Sequence, residues 1–392
     1  MVSYRHGVAR DHAERRALSV VLGSCFGFPS DDALVWLGKA GEDNIRVLRA
    51  GGEVVGGLIG IPMGQYFGGR AVPTHGVAGV GVDPSLRGHG AATALMRGFV
   101  RELHEKGVAL STLYPATVPL YRRAGYAIAG ALYQASSLAR DVAGGDRALT
   151  LRPVTPDDDR AIAATYRRFA THRNGWLDRG PYVWRRTRMK HDGARALGYV
   201  VTRRERPEGH IFFHQERRAD GDYDLAVTDL AYASPEAARS LLTFLADHRS
   251  LAAQIRWYAS PDDALLSQLR ERHHELRRHH AWMLRIVDVP AALEARGYPK
   301  GVKASLSLEI RDDLLAKNRG AFRLAVAEGR ATVRRGGSPR LRLDVRALAA
   351  LYTGHHGARR LRELGRLDGS DAAVATAETI FAGPAPSLGD FF

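Results

Sequence analysis

The sequence predicts an α/β (α+β) protein: two mixed-sheet units of similar layout in tandem, then a smaller α+β unit, over residues 1–140, 147–285 and 286–392. Three observations lead there. Val77 to Leu103 reads as a strand, a loop of small residues and an amphipathic helix. After a glycine-containing stretch, Asp141 to Asp146, the order of strands and helices begins again. From Val289 the pattern changes to short alternating strands followed by helices.

In the first unit, Ala9 to Leu22 and Asp31 to Leu37 carry helical periodicity around the turn Phe26-Gly27-Phe28-Pro29. Strands are expected at 45–50 and 54–61, joined through Gly51-Gly52, with a loop at Tyr66 to Gly69. Val77 to Val82 alternates small and β-branched residues, as a strand does. Asp83-Pro84 ends it, because proline supplies no ladder N–H. Arg87-Gly88-His89-Gly90-Ala91-Ala92 follows, and Leu95, Met96, Phe99, Val100 and Leu103 then recur at helical spacing. Unpaired amides at a helix start, with side chains too small to obstruct, suit a phosphate group. No G-x-G-x-x-G follows the first strand and no G-K-[ST] is present, which disfavours a dinucleotide or ATP. A strand at 108–114, a short helix at 118–124 and one or two strands over 126–140 complete the unit.

The second unit offers a strand from Leu151, helices at 157–170 and 182–189, strands at 197–203, 209–215 and 223–232, a helix at 235–246, a strand at 254–258 and a helix at 262–269. Ala233-Ser234-Pro235-Glu236 stands where the first unit has its glycine loop, so no pyrophosphate is expected there. In the third unit a helix opens with Pro290 near its start and ends at Gly297. Strands follow at 304–310, 320–327, 331–335 and 341–345, then helices at 346–352 and over 361–380.

Lys and Arg number 57 against 42 Asp and Glu, a formal net charge of +15. These residues are scattered and no recognition motif accompanies them, so nucleic acid is not the expected partner. The surplus serves better to attract an anionic co-substrate. No apolar run approaches the ~20 residues of a membrane span, and the N-terminus lacks the apolar core of a signal peptide. The single cysteine excludes an internal disulfide and suits a reducing cytoplasm. Beside Phe26 and Phe28, Cys25 reads as a buried structural thiol. His273, His274, His279 and His280 lack the carboxylate or cysteine spacing of a metal site and read as a solvated basic loop.

Arg87, Gly90 and Ala92, behind the strand end Val80-Gly81-Val82-Asp83-Pro84, resemble the R-x-x-G-x-A acetyl-CoA loop of the GNAT acetyltransferases. Tyr121-Arg122-Arg123-Ala124-Gly125-Tyr126 resembles the same superfamily's Y-x-x-x-G-[FY] ending. Over its full length the chain resembles the Eis (enhanced intracellular survival) family, which joins a GNAT domain, a CoA-less GNAT-like domain and a sterol-carrier-type domain. Val289 to Tyr298 (VPAALEARGY), Leu351 to His356 (LYTGHH) and the final Phe392 carry that likeness. The resemblance implies acetyl-CoA as donor, no metal, a homohexamer, and primary amines of aminoglycosides, polyamines or lysine side chains as acceptors. It implies acetyl-CoA contacts at Val80, Gly81, Val82, Arg87, Gly88, His89, Gly90, Ala91, Ala92, Thr93, Ala116 and Thr117. It further implies Tyr121 as general acid, with Tyr126 its rival, and the α-carboxylate of Phe392 as general base.

The chemistry is coherent with those roles. A thioester attacked by an amine releases a thiolate that needs a proton, and the arriving ammonium must lose one. Asp83 is the single carboxylate beside the motifs. Phe26, Phe28, Trp36, Tyr66 and Phe67 are candidates for core or for the acceptor pocket. A second function class stays open, in which the scaffold has lost catalysis and the last domain binds an apolar ligand.

Overall fold

A computed structural model describes residues 3–142, 144–189, 194–269 and 273–392. Ala143, within the linker expected at 141–146, lies outside them. The chain divides into two compact units, Met1–Gly130 with Ala281–Pro386, and Ala131–His280 with Ser387–Phe392.

The first unit opens with a strand the sequence did not announce, β1 (Tyr4–Val8), before helices α1 (His12–Phe26) and α2 (Ser30–Ala40). Asp11 caps α1 by accepting from Glu14 N. Strands β2 (Ile45–Ala50), β3 (Glu53–Phe67) and β4 (Arg70–Val82) follow. The last two are longer than expected and meet at a Gly68-Gly69 hairpin, so Tyr66 and Phe67 lie in the strand and in the core rather than in a loop. Helix α3 (Ala91–Glu105), strand β5 (Leu110–Leu113), helix α4 (Val118–Arg122) and strand β6 (Ala127–Leu138) continue the chain. β4 and β5 run parallel, Thr74 opposite Leu110 through Val77 opposite Leu113, with α3 as their crossover. α3 buries Leu95, Met96, Phe99, Val100 and Leu103, and the Phe99 ring lies where Gly60 of β3 would carry a Cβ, 2.6 Å away.

The second unit holds β7 (Thr150–Pro153), α5 (Asp159–Ala170), β8 (Leu177–Asp178), α6 (Pro181–Thr187), β9 (Leu197–Arg203), β10 (Arg206–Arg217), β11 (Tyr223–Tyr232), α7 (Pro235–Asp247) and β12 (Ala252–Ala259). Its strands run in the order β6-β12-β11-β10-β9-β7. β11 and β12 pair in parallel around α7, repeating the β4-α3-β5 crossover. The helix start that is open in the first unit is closed here by Ser234, whose hydroxyl accepts from Ala237 N. The helix expected at 262–269 is only a turn, Leu266–Gln268. Asp263 takes Leu265 N with its side chain, which competes with helix formation. His274, His279 and His280 lie on strand β13 (His274–Ile286), not on a loop, although this stretch is largely exposed.

From Ala281 the chain belongs to the first unit again. The end of β13 pairs with β5, giving the strand order β1-β2-β3-β4-β5-β13. Helix α8 (Val289–Ala295) leads to β14 (Ala304–Arg311), β15 (Gly320–Ala327), β16 (Arg330–Arg335) and β17 (Leu341–Asp344). After them come α9 (Val345–Thr353), α10 (Ala358–Glu363), β18 (Leu367–Gly369) and α11 (Asp371–Ile380). The helical run expected over 361–380 is therefore split by β18, which pairs with β17. Leu306, Leu308, Ile310, Phe322, Leu324 and Val326 alternate into the core of this five-stranded sheet.

Gly68 and Gly297 fix the hairpin tip of β3 and β4 against the segment after α8. Gly297 N donates to Phe67 O at 2.9 Å, and a Cβ on Gly297 would lie 1.9 Å from Gly68 O. The adjoining Arg296 is 1% exposed, with its guanidinium about 5 Å from the rings of Tyr298, Tyr352 and Phe381. Because the obstruction is backbone on both sides, Gly297→Ala should destabilise the protein by about 3 kcal/mol. Gly301→Ala, whose Cβ meets nothing within 4 Å, should be near neutral. Urea denaturation of the two variants checks this, and equal midpoints would refute it.

Candidate active site

β5 stops at Leu113, whereas β4 runs on to Val82. Residues 78–82 of β4 therefore have β3 on one side and no rung of β5 on the other. The β3 ladder shifts register between Gly57 and Ile59, opposite Ala78 to Gly81, so β4 carries a bulge where it passes the end of β5. Along the bulged end the residues alternate. Gly79 receives the Trp36 indole and Gly81 receives Leu22 and Cys25, while Val80 and Val82 join the cluster around α3. Cys25 is half-buried rather than buried, and its thiol donates to Val82 O at 3.3 Å.

The predicted loop residues follow directly. Asp83 turns the chain by accepting from Ser85 N and Oγ at 2.8 and 2.7 Å, bonds that hold its carboxyl below the ordinary aspartate range. Arg87, Gly88, His89 and Gly90 are exposed. Gly88 and Gly90 both sit at φ 81°, a conformation glycine adopts without strain, and a Cβ on either would meet nothing within 4 Å. Gly90 is the N-cap of α3 and no side chain caps the helix, so the first amides, those of Ala91, Ala92 and Thr93, are left to the loop's open side. Ala116 and Thr117 are exposed just past β5. Since β4 and β5 are adjacent and parallel, 80–82, 87–93 and 116–117 gather at the same, C-terminal, end of the two strands.

Thr117 begins α4, on which Tyr121 is 5% exposed. Burial alone pushes its hydroxyl up to about 12. The rival, Tyr126, is fully buried, and its hydroxyl lies 2.7 Å from Ser111 Oγ. The two rings meet edge to face at 6.2 Å. Between them Gly125 ends the helix at φ 86°, and a Cβ there would strike the Arg285 guanidinium at 2.5 Å. Arg285 is itself buried, and its Nη2 donates to Asp312 Oδ2 at 2.6 Å. The spacing from Tyr121 to Gly125 is thus a helix end pressed onto a buried ion pair, and sequence reading found the motif but not its support.

Phe26 and Phe28 stack at 5.9 Å, and Trp36 stands edge-on to both at 6.3 Å. Phe26 is 47% exposed, whereas Tyr66 and Phe67 are core. Phe392 lies in the second unit and is 6% exposed. The groups around that tail, Arg179, Asp229 and Asp390, were absent from the sequence reading. Arg179 and Asp390 are separated by 211 positions, beyond the reach of any local pattern.

Comparison with known proteins agrees with this architecture. Residues 12–129 match the acetyltransferase (GNAT) domain, 175–286 match a second acetyltransferase (GNAT) domain, and 289–389 match the sterol carrier protein domain. An uncharacterised N-acetyltransferase of Streptomyces griseus is 30% identical over 353 residues, 80% of each chain. N-acetyltransferase Eis of Mycobacterium tuberculosis is 28% identical over 363 residues, 88% of each chain. The crystal structure of a GCN5-related N-acetyltransferase from Anabaena variabilis is 38% identical and superposes over 100% of both chains with a TM-score of 0.95. The chain belongs to the GNAT superfamily of N-acetyltransferases and, within it, to the Eis family. It is an acyltransferase with two GNAT domains and a sterol-carrier domain, and its GNAT domains imply acetyl-CoA as donor. No single described helix is long and apolar enough to cross a membrane.

Proposed function

We propose that the chain moves acetyl from acetyl-CoA directly onto a primary amine of an aminoglycoside, a polyamine or a lysine side chain. The observation that carries this reading is Tyr121, a buried phenol on the helix that follows β5, at the end of the strand pair where β4 runs on past β5. Domains at 1–140, 147–285 and 286–392, a homohexamer and a cytoplasmic location belong to the same reading.

The residues at this end fit the donor. The open amides at Ala91, Ala92 and Thr93, with the unobstructed Gly88 and Gly90, would hold a pyrophosphate, and Arg87 and His89 would flank it. Residues 80–82 offer backbone to an extended pantetheine chain, and Ala116 and Thr117 offer the opposite wall. Bound there, acetyl-CoA supplies the activated acetyl thioester.

Tyr121 donates a hydrogen bond to the sulfur side of the reaction. With its hydroxyl near 12 and a thiol near ~8.5, complete transfer is uphill in the resting site, so its first contribution is a donor aimed at developing negative charge. As the N–C bond forms and the C–S bond breaks, the thiolate takes the Tyr121 proton, the amine gives one up to the base, and water reprotonates the tyrosine. The Eis resemblance assigns removal of the amine's charge to the α-carboxylate of Phe392; Asp83 is engaged by Ser85. Trp36 presents its ring beside Gly79, with Phe26 and Phe28 packed against it, a set suited to an ammonium and its aliphatic stem.

Thiol release from acetyl-CoA with kanamycin, spermidine or Nα-acetyl-lysine as acceptor tests the reading. Tyr121→Phe should lower kcat by roughly 10²–10⁴ with KM for acetyl-CoA unchanged. The native pH profile should show no basic limb from Tyr121 until pH nears about 12. Unchanged turnover in Tyr121→Phe would remove the tyrosine from the mechanism.

Gly90→Glu places a carboxylate, on a backbone only glycine favours, at the mouth of the loop. Calorimetry should find acetyl-CoA binding lost in a folded protein, and retained affinity would refute the loop assignment. A single glycine appended after Phe392 moves the terminal charge by ~3.5 Å. Since misplacement on the order of 1 Å can cost ~10²-fold, the extended enzyme should be nearly inactive while Phe392→Leu keeps much of its rate. A fully active extension would exclude the carboxylate.

A further inference from the structure

The second unit has lost the open helix start of a phosphate site, yet its interior holds a set of charges. Arg179 is 8% exposed as a residue and its side chain only 1%. Its Nη1 and Nη2 donate to the two carboxylate oxygens of Asp229 at 2.8 Å each. Its Nε lies 2.9 and 3.1 Å from the oxygens of Asp390, and Nη2 lies 2.7 Å from Asp390 Oδ1. The guanidinium lies against two neighbouring rings, 3.6 Å from the Tyr166 centroid and 4.7 Å from that of Trp184. Around the rim, His210 Nε2 faces Asp229 Oδ2 at 3.0 Å and the Tyr166 hydroxyl faces Asp390 Oδ2 at 3.1 Å. Burial opposes charge on Arg179, Asp229 and Asp390. Asp229, with Arg179 and His210 beside it, is nonetheless held well below the carboxylate range, whereas burial shifts Asp390 upward from the ordinary aspartate value.

Asp390 is the third residue from the end of the sequence, and the segment leading to it is fastened to the same unit. Ser387 N donates to Asn174 O at 3.0 Å and Leu388 N to Ala131 O at 3.1 Å. Trp176 Nε1 donates to Ser387 Oγ at 3.1 Å. Gly389 lies flat on the Trp176 indole, where a Cβ would come within 2.6 Å. Beyond Asp390, Arg186 Nε donates to Phe391 O at 3.2 Å. Hydrophobic contact alone would hold such a tail without fixing its register. A two-pronged guanidinium–carboxylate contact fixes both distance and orientation.

We propose that Arg179, clamped between Asp229 and Asp390, is the positioning residue that pins the C-terminal tail and so fixes where Phe392 presents its α-carboxylate. The proposal rests on the reading of Phe392 as proton acceptor. Two residues separate the clamp from that carboxylate, at most ~7 Å of chain, so little slack remains once Asp390 is held.

Two variants test it. Asp390→Asn removes the side-chain charge that Arg179 grips on the tail but leaves Arg179 neutralised by Asp229. Arg179→Lys keeps the charge and removes the fork. Both should fold, by far-UV circular dichroism and thermal melting. Hydrogen exchange should then find the amides of Leu388–Phe392 about tenfold or more less protected. With acetyl-CoA and spermidine, kanamycin or Nα-acetyl-lysine, kcat should fall roughly 10²-fold at unchanged KM for acetyl-CoA. A residue that only stabilised the fold would lower the melting temperature and leave kcat intact. Undiminished tail protection in both folded variants overturns the clamp. A released tail with unchanged kcat instead overturns the role of Phe392 and leaves Arg179 as an anchor without catalytic consequence.

Discussion

The first unit of this chain depends on parallel pairing that stops early. Thr74–Val77 and Leu110–Leu113 share a short ladder, and β4 then continues past a bulge with only β3 beside it. A parallel pair requires a crossover, and α3 supplies it by starting immediately beyond the loop that leaves β4. The free strand edge, the uncapped helix start and the loop after β5 are therefore consequences of one topological arrangement. The apolar face of α3 and the Phe99 ring over Gly60 hold that arrangement in place.

The second unit repeats the crossover but not its open end. Where Gly90 leaves the amides of α3 uncapped, Ser234 closes α7 with its own hydroxyl. The same topology thus carries two different endings, decided by a few residues at one helix terminus. In place of a phosphate cradle, this copy has an interior organised by Arg179 and a docked chain end.

The sequence revealed most where signals are local. The periodicity of Leu95 to Leu103 and the Pro84 strand end located α3 and its loop, and the Tyr121–Gly125 spacing located α4. It revealed least where a residue's reason lies elsewhere in space. β3 runs through Gly60, Pro62 and Gly64, residues that ordinarily argue against a strand interior, because the Phe99 ring occupies the room a side chain on Gly60 would need. β1 is too short to show alternation and is defined by its pairing with β2. The 262–269 segment has helical apolar spacing, but Asp263 spends its carboxylate on Leu265 N. The Arg285–Asp312 pair beneath Gly125 and the Arg179–Asp390 clamp join distant parts of the chain, and no spacing rule reaches them.

The buried charges of the second unit also restrict how the protein can change over generations. Replacing Arg179 by an uncharged residue would strand two carboxylates in a dry interior, at a cost of about 3–5 kcal/mol. Loss of charge at Arg179 is therefore tolerated only with compensation at Asp229 and Asp390. The same lock acts on length. An insertion or deletion between Trp176's partner Ser387 and Asp390 would draw the carboxylate out of reach of its guanidinium. A segment that elsewhere accepts indels freely is in this chain held to a fixed count of residues.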